Sequence, residues 1–275
     1  MGFERSYLFV PGDRPERFEK ALASGADRVI LDLEDAVQPA AKDAAREAVT
    51  GWLRARAGTD GSAVVIRING VDTPWHADDL AAFGCVSDAI GGLMLPKAES
   101  VQAVRTVRER VRKPLIALLE TVVGLVYLRQ IAACGEVSRI AFGSVDFCGD
   151  AGIEGDNEAL DLVRSQLVIE SRFAGLPPPI DGVSLALDDE ERIRRDVARA
   201  RRFGFGGKLC IHPKQVPSVN AGFGPSADDL AWAKRVVAAA EGSEGRGAIA
   251  VDGKLVDKPV LDRAHRLLAQ HAATT

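Results

Sequence analysis

The sequence predicts a (β/α)8 TIM barrel with a C-terminal helix–hairpin–helix extension. Three observations lead there. Eight short apolar or β-branched runs alternate with longer amphipathic stretches over about 220 residues, the pattern of βαβ units around a parallel sheet. No G-x-G-x-x-G follows the first run, which weighs against the alternative, an open dinucleotide-binding sheet. About fifty residues remain after the eighth unit, and they have no place in a barrel wall.

Taken in order, residues 6–10 read as a strand and 16–24 as a helix behind Pro15. Strand 28–33 leads to an Ala- and Arg-rich helix, 41–56, and strand 63–68 to a short helix near 77–83. Strand 92–95 precedes helix 100–111, with Ser100 placed to cap it. Strand 114–119 pairs with helix 123–133, and strand 139–142 with helix 158–174, which stops at Gly175. Strand 180–183 is followed by helix 188–203, whose first turn carries the carboxylates that a helix dipole favours. Strand 207–211 and a short helix, 213–219, complete the eighth unit. The tail reads as helix 227–241, a glycine-rich loop 242–247, a hairpin of 248–251 and 254–256 about Asp252-Gly253, and helix 259–270. Residues 1–222 are thus expected to form the barrel. Residues 223–275 are expected to pack on it, on a neighbouring subunit, or on both.

Composition narrows the function classes. Hydrophobic residues make up 47% and charged residues 27%, so the chain is not a disordered one. A net charge of -4 gives no broad nucleic-acid face. No apolar run approaches the ~18 residues of a membrane span. Residues 1–10 carry Glu4 and Arg5 and lack an apolar signal core, so the cytoplasm is the expected compartment. Cys85, Cys134, Cys148 and Cys210 form no C-x-x-C pair, which leaves neither a disulfide framework nor a zinc ribbon.

In such barrels the site lies where the strands end. Those ends carry Asp13 and Arg14; Asp32, Glu34 and Asp35; Arg67 and Asn69; Lys97; Glu120; Ser144 and Asp146; Ser184; and His212. Glu120 and Asp146 follow consecutive apolar strands, so their carboxylates can converge. Two carboxylates with open positions suit Mg²⁺; two solvated or salt-bridged loop carboxylates are the other reading. Arg67 can hold a substrate carboxylate or a polarised carbonyl, or it can pair structurally with Glu34 or Asp35. Lys97 can serve a Schiff base or bind an anion, whereas Lys208 stands at the wrong end of its strand. No G-x-S-x-G occurs, Ser144 has no evident His partner, and the four histidines lack metal-ligand spacing. His212, ahead of Pro213, reads as a loop-orienting residue more readily than as a catalyst.

The ordered set of motifs resembles the citrate lyase β-subunit family within the HpcH/HpaI aldolase superfamily. The set runs SYLFVPGDRPER (6–17), LDLEDAV (31–37), RING (67–70), MLPKAES (94–100), LLET (118–121), FGSVDF (142–147), PPPIDGVS (177–184), GKLCIHPKQV (207–216) and VDKPVL (256–261). The resemblance implies a barrel that makes and breaks carbon–carbon bonds beside a CoA thioester or a 2-oxo acid, using Mg²⁺. It places the metal carboxylates on Glu120 and Asp146, with substrate contacts from Glu120 and from Arg67, which also acts in catalysis. It places a catalytic aspartate that reaches a neighbouring subunit's site on Asp257, and orienting carboxylates on Glu34 and Asp35. Arg14, Arg17 and Lys20 are available for CoA phosphates or as a solvated helix face. The expectation is a homo-oligomer, a trimer, with a small-molecule substrate and neither nucleic acid nor membrane as partner. The implied reaction is cleavage of a 3-hydroxyacyl-CoA such as citramalyl-CoA or malyl-CoA. The alternatives are a malate synthase-like condensation with thioester hydrolysis, a CoA-independent 2-oxo acid aldolase, and a β-like subunit of a citrate lyase complex.

Overall fold

The computed structural model describes residues 4–241 and 249–274. The chain divides into two compact units, 1–219 and 220–275. In the first, the elements run β1 (Ser6–Pro11), α1 (Phe18–Leu22), β2 (Arg28–Asp32), α2 (Lys42–Ala55), β3 (Val64–Arg67), α3 (His76–Gly84), β4 (Gly92–Leu95), α4 (Val101–Arg110), β5 (Leu115–Leu119), α5 (Val122–Ala132), β6 (Arg139–Phe142), α6 (Ser144–Ala151), α7 (Asp161–Phe173), β7 (Ile180–Asp181), α8 (Glu190–Phe203) and β8 (Gly207–Cys210). All eight strands are parallel, and β8 pairs back onto β1 to close the barrel.

Strands covered on both faces must be apolar throughout, and β3, β4 and β5 are buried along their whole lengths. Tyr7, Ile30, Val65, Met94, Ile116, Leu118, Ala141, Ile180 and Leu209 form one contiguous buried cluster drawn from all eight strands. Helix starts follow local chemistry: Ser100 accepts from Ala103 N at 3.1 Å, Thr121 from Gly124 N at 3.1 Å, and Asp189 from Arg192 N at 2.9 Å. Fully buried Arg164 reaches Asp181 at 3.1 Å, and Lys208 reaches the other oxygen of Asp181 at 3.2 Å. Lys208 is therefore committed to the wall between β7 and β8.

Three expectations needed adjustment. The helix expected over 16–24 is a 3-10 turn, Pro15–Arg17, followed by the five-residue α1. Strand 180–183 is only Ile180–Asp181, and Gly182, which follows it, lies so near Ser144 that a Cβ there would fall 2.3 Å from the hydroxyl oxygen. Between β6 and the expected helix lies an additional one, α6, which ends at Gly152 in the left-handed conformation (φ 68°).

In the chain order, α9 (Val216–Phe223) spans the division between the units. The second unit continues with α10 (Ala227–Glu241), β9 (Ile249–Val251), β10 (Lys254–Val256) and α11 (Lys258–Thr274). Ala233, Val236, Val256 and Ala264 form its core. The hairpin turns on Asp252 (φ 51°) and Gly253 (φ 74°), both left-handed as a tight two-residue turn requires. The expected loop 242–247 and residue Ala248 lie outside the described residues. Among those described, no helix is long and apolar enough to cross a membrane.

Candidate active site

The carboxyl ends of the strands open into a cavity of about 340 Å³. Arg67, Glu120 and Asp146, from three strand ends, all line it, together with Asp32 and Asp35.

Arg67 closes β3 directly opposite Asp32, its register partner on β2. Its Nε donates to Asp32 Oδ1 at 2.7 Å and its Nη2 to Oδ2 at 2.6 Å, a two-pronged carboxylate pair. Its Nη1 lies 2.9 Å from Glu34 Oε2, an ion pair without hydrogen-bond alignment, and 3.4 Å from Asp35 Oδ2. The guanidinium also stacks 4.7 Å from the Phe9 ring. Burial works against its charge, but Asp32 outweighs it and the pKa rises. The two readings of Arg67 are thus not exclusive. One edge of the fork is occupied within the protein, yet Nη2 carries a second N–H and the residue borders the cavity. Sequence reasoning missed Asp32 as the main partner. The signal was available in principle: both residues stand at the ends of adjacent predicted strands.

Glu120 follows β5 and is 1% exposed. Its Oε1 accepts from the Lys97 backbone N–H at 2.8 Å, and Lys97 adopts φ 45° to present that group. Its Oε2 is buried and has no hydrogen-bond partner within the protein. Gly143 is required beside it, since a Cβ there would fall 2.5 Å from Glu120 Cβ. Burial, aided by the Glu34 charge, pushes the Glu120 carboxyl up to about 8. Asp146 occupies the first turn of α6 at the open rim, with solvent access. Packing around it and the Asp35 charge still raise its pKa.

These features fit a hard cation. Both carboxylates have raised pKa values, one buried oxygen lacks a partner, and all the donors are oxygen. Among the described residues no three His, Cys, Asp or Glu side chains are grouped to hold a metal by themselves. A carboxylate pair would accordingly leave positions open for water and substrate.

The remaining candidates divide. The Lys97 Nζ donates to Glu34 Oε1 at 2.7 Å. Burial favours its neutral form, but the Glu34 bond and charge win and raise its pKa. A lysine so held is no Schiff-base nucleophile. His212 caps a 3-10 turn, accepting from Lys214 N at 3.2 Å, as its loop-orienting reading expects. Exposed Arg14 and Arg17 lie loosely beside Asp13 (3.8 Å) and Glu16 (3.7 Å). Asp257 belongs to the second unit, where it is exposed and caps α11, its Oδ1 accepting from Val260 N at 3.3 Å.

A sequence model of the HpcH/HpaI aldolase/citrate lyase family matches residues 5–213. A citrate lyase subunit beta-like protein of Mycobacterium tuberculosis is 38% identical over 277 residues, covering 98% of this chain and 96% of its own length. A (3S)-malyl-CoA thioesterase of Cereibacter sphaeroides is 35% identical over 275 residues, covering 98% of this chain and 95% of its own. Protein CitE of M. tuberculosis, crystallised with magnesium, acetoacetate and coenzyme A, is similar at a TM-score of 0.84 and 37% identity over 98% of each chain. The family pattern runs from the first barrel strand past the eighth, and the relatives align over almost the whole length. This chain therefore belongs to the HpcH/HpaI aldolase/citrate lyase family of enzymes.

Proposed function

We propose that the protein is a Mg²⁺-dependent carbon–carbon lyase that splits a 3-hydroxyacyl-CoA, such as citramalyl-CoA or malyl-CoA, into acetyl-CoA and a 2-oxo acid. The observation that carries this reading is the convergence of Glu120, Asp146 and Arg67 on one cavity at the strand ends. The magnesium and coenzyme A bound by the M. tuberculosis relative support it. Glu120 and Asp146 hold the cation. When bound, it supplies Lewis-acid polarisation of the oxygen that becomes the 2-oxo acid carbonyl. Arg67, locked by Asp32, directs its spare N–H at the same oxygen, so no reorganisation is needed as charge develops. Glu34 and Lys97 hold that arrangement in place. The extension, residues 223–275, delivers Asp257 to a neighbouring subunit of a homotrimer, where its carboxyl protonates the acetyl thioester enolate. The expected setting is the cytoplasm.

Incubating the protein with a panel of 3-hydroxyacyl-CoA thioesters, with and without Mg²⁺, tests the reading. Release of pyruvate or glyoxylate together with acetyl-CoA, and only with the cation, is expected; no cleavage of any member would overturn it. A second reading, thioester hydrolysis at the same site, is favoured by the relatives named (3S)-malyl-CoA thioesterase. Release of free CoA thiol without a 2-oxo acid would select it.

Mixed oligomers test the role of Asp257. Asp257→Ala and Asp146→Ala proteins should each be inactive. Random mixing of the two should restore roughly a quarter of the sites. No recovery after verified subunit exchange would remove the shared site.

The raised Glu120 pKa has a signed consequence. Between the ordinary value of 4.5 and about 8, the folded cation-free protein binds more protons than the unfolded chain. Its stability therefore falls as pH rises through that window. Cation binding expels the proton, so the Mg²⁺-induced rise in Tm should be larger at about pH 8 than at about pH 6. Equal rises at both would exclude a Glu120 ligand that must lose a proton on binding the cation.

A further inference from the structure

Beside the candidate site lies a second cavity of about 390 Å³. Four residues line both: Ser144, Val145, Val183 and Leu185. Three of these are apolar, so Ser144 is the polar group at their junction. The other polar groups of the second cavity all have partners: Asp156 accepts from Arg164 Nη2 at 2.7 Å, and Cys148 Sγ donates to Gly155 O at 3.3 Å. Ser184 Oγ donates to Asp196 at 2.6 Å, and Arg192 Nε donates to the same carboxylate at 3.1 Å. Ser144 differs. It is 1% exposed, and its hydroxyl has no hydrogen-bond partner within the protein. A hydroxyl withdrawn from water without a partner is destabilising and calls for an explanation. The fold makes room for it all the same. A Cβ at position 182 would fall 2.3 Å from Ser144 Oγ, so only glycine lets β7 exit past it. Ser144 also opens the eight-residue α6, whose first-turn amides favour negative charge nearby.

We infer that Ser144 is a further substrate-contacting residue: its hydroxyl donates to the thioester oxygen, which lies across the mouth joining the two cavities. The inference rests on the lyase reading above. In that reaction the bond between carbons 2 and 3 of the 3-hydroxyacyl thioester breaks, and its electron pair moves through carbon 2 to the thioester oxygen. The hydroxyl on carbon 3 gives its proton to a neighbouring carboxylate and becomes the carbonyl. Carbon 2 then takes one proton, so protons balance overall. The 2-oxo acid half belongs with Glu120, Asp146 and Arg67. The thioester half must lie within bonding distance of it, and the adjoining cavity, with walls of Val145, Val183, Leu185 and Ala186, continues from there. A donor that waits unpaired for the developing enolate oxygen is stronger in the transition state than in the ground state.

Ser144→Ala in the full-length protein tests this. Its Tm should equal or exceed that of the wild type, because an unpartnered hydroxyl is lost, and Mg²⁺-dependent binding of pyruvate should be unchanged. Cleavage kcat should fall about 10²-fold with little change in KM. Mg²⁺- and pyruvate-dependent exchange of the acetyl-CoA methyl hydrogens in D2O should fall by a similar factor. Cleavage and exchange within about threefold of wild type would overturn the role of Ser144 alone, as would a parallel loss of Tm and kcat. A wild-type protein that neither cleaves hydroxyacyl-CoA nor exchanges acetyl-CoA hydrogens would overturn the lyase reading and this inference together.

Discussion

Asp146→Asn and Glu120→Gln should each lower kcat/KM for the hydroxyacyl-CoA by at least about 10³-fold, with little loss of fold stability. Loss of Lewis-acid assistance is worth several kcal/mol, and about 1.4 kcal/mol is a factor of ten. Structural damage should be small for separate reasons. Asp146 sits at a solvent-reached rim, and its pKa is already raised by partial burial and by the Asp35 charge. Glu120→Gln keeps an acceptor for the Lys97 backbone N–H, the bond made at 2.8 Å by Oε1. It also removes a buried carboxyl whose ionisation disfavours the fold near neutral pH. Calorimetric titration with Mg²⁺ should show weakened binding for both variants while Tm is kept. A variant with normal turnover and normal Mg²⁺ affinity would remove that residue from the cation site.

Arg67→Ala should unfold more easily by about 3–5 kcal/mol, besides losing activity. Arg67 is 7% exposed and Asp32 is 1% exposed, so removing the guanidinium leaves a carboxylate pinned in the barrel mouth without its partner. Glu34, 5% exposed, loses its contact at 2.9 Å as well. Arg67→Lys keeps the charge but cannot reproduce both prongs on Asp32, so it should recover stability better than turnover. Acid should narrow the gap between Arg67→Ala and wild type, since burial already raises the Glu34 pKa and its protonation relieves the charge that Arg67 no longer offsets. Urea unfolding at about pH 7 and about pH 4.5 measures this. A loss below about 1 kcal/mol would show that Arg67 is free for substrate rather than tied into the wall.

The barrel was legible because its causes are local. Strands covered on both faces read as continuous apolar runs, and helix starts such as Ser100 carry their own capping chemistry. The hairpin was legible in Asp252-Gly253 because few residue pairs accept two left-handed conformations. The α6 helix was not legible. Eight residues with a glycine inside them make a weak periodic signal, and what holds them lies elsewhere in the chain. Glu120 and Asp146 were picked out as a pair because consecutive strands must deliver their ends to the same face. The partner of Arg67 was not, since Glu34 and Asp35 are as near in sequence as Asp32 is. Only the β2–β3 register sets Asp32 opposite Arg67.

The sequence by itself thus determined the fold class and which carboxylates and arginine stand together at the carboxyl ends of the barrel strands. Periodicity, capping and chain order express those directly. The tertiary structure alone decided which of these groups are already engaged and which are not. Arg67 is forked onto Asp32, Lys97 is bound to Glu34, and Lys208 is shared with Asp181. Glu120 Oε2 and the Ser144 hydroxyl remain buried and unpartnered. Whether a polar atom is satisfied depends on ångström-scale distances between residues far apart in the chain, and residue order does not encode those distances until the barrel has closed.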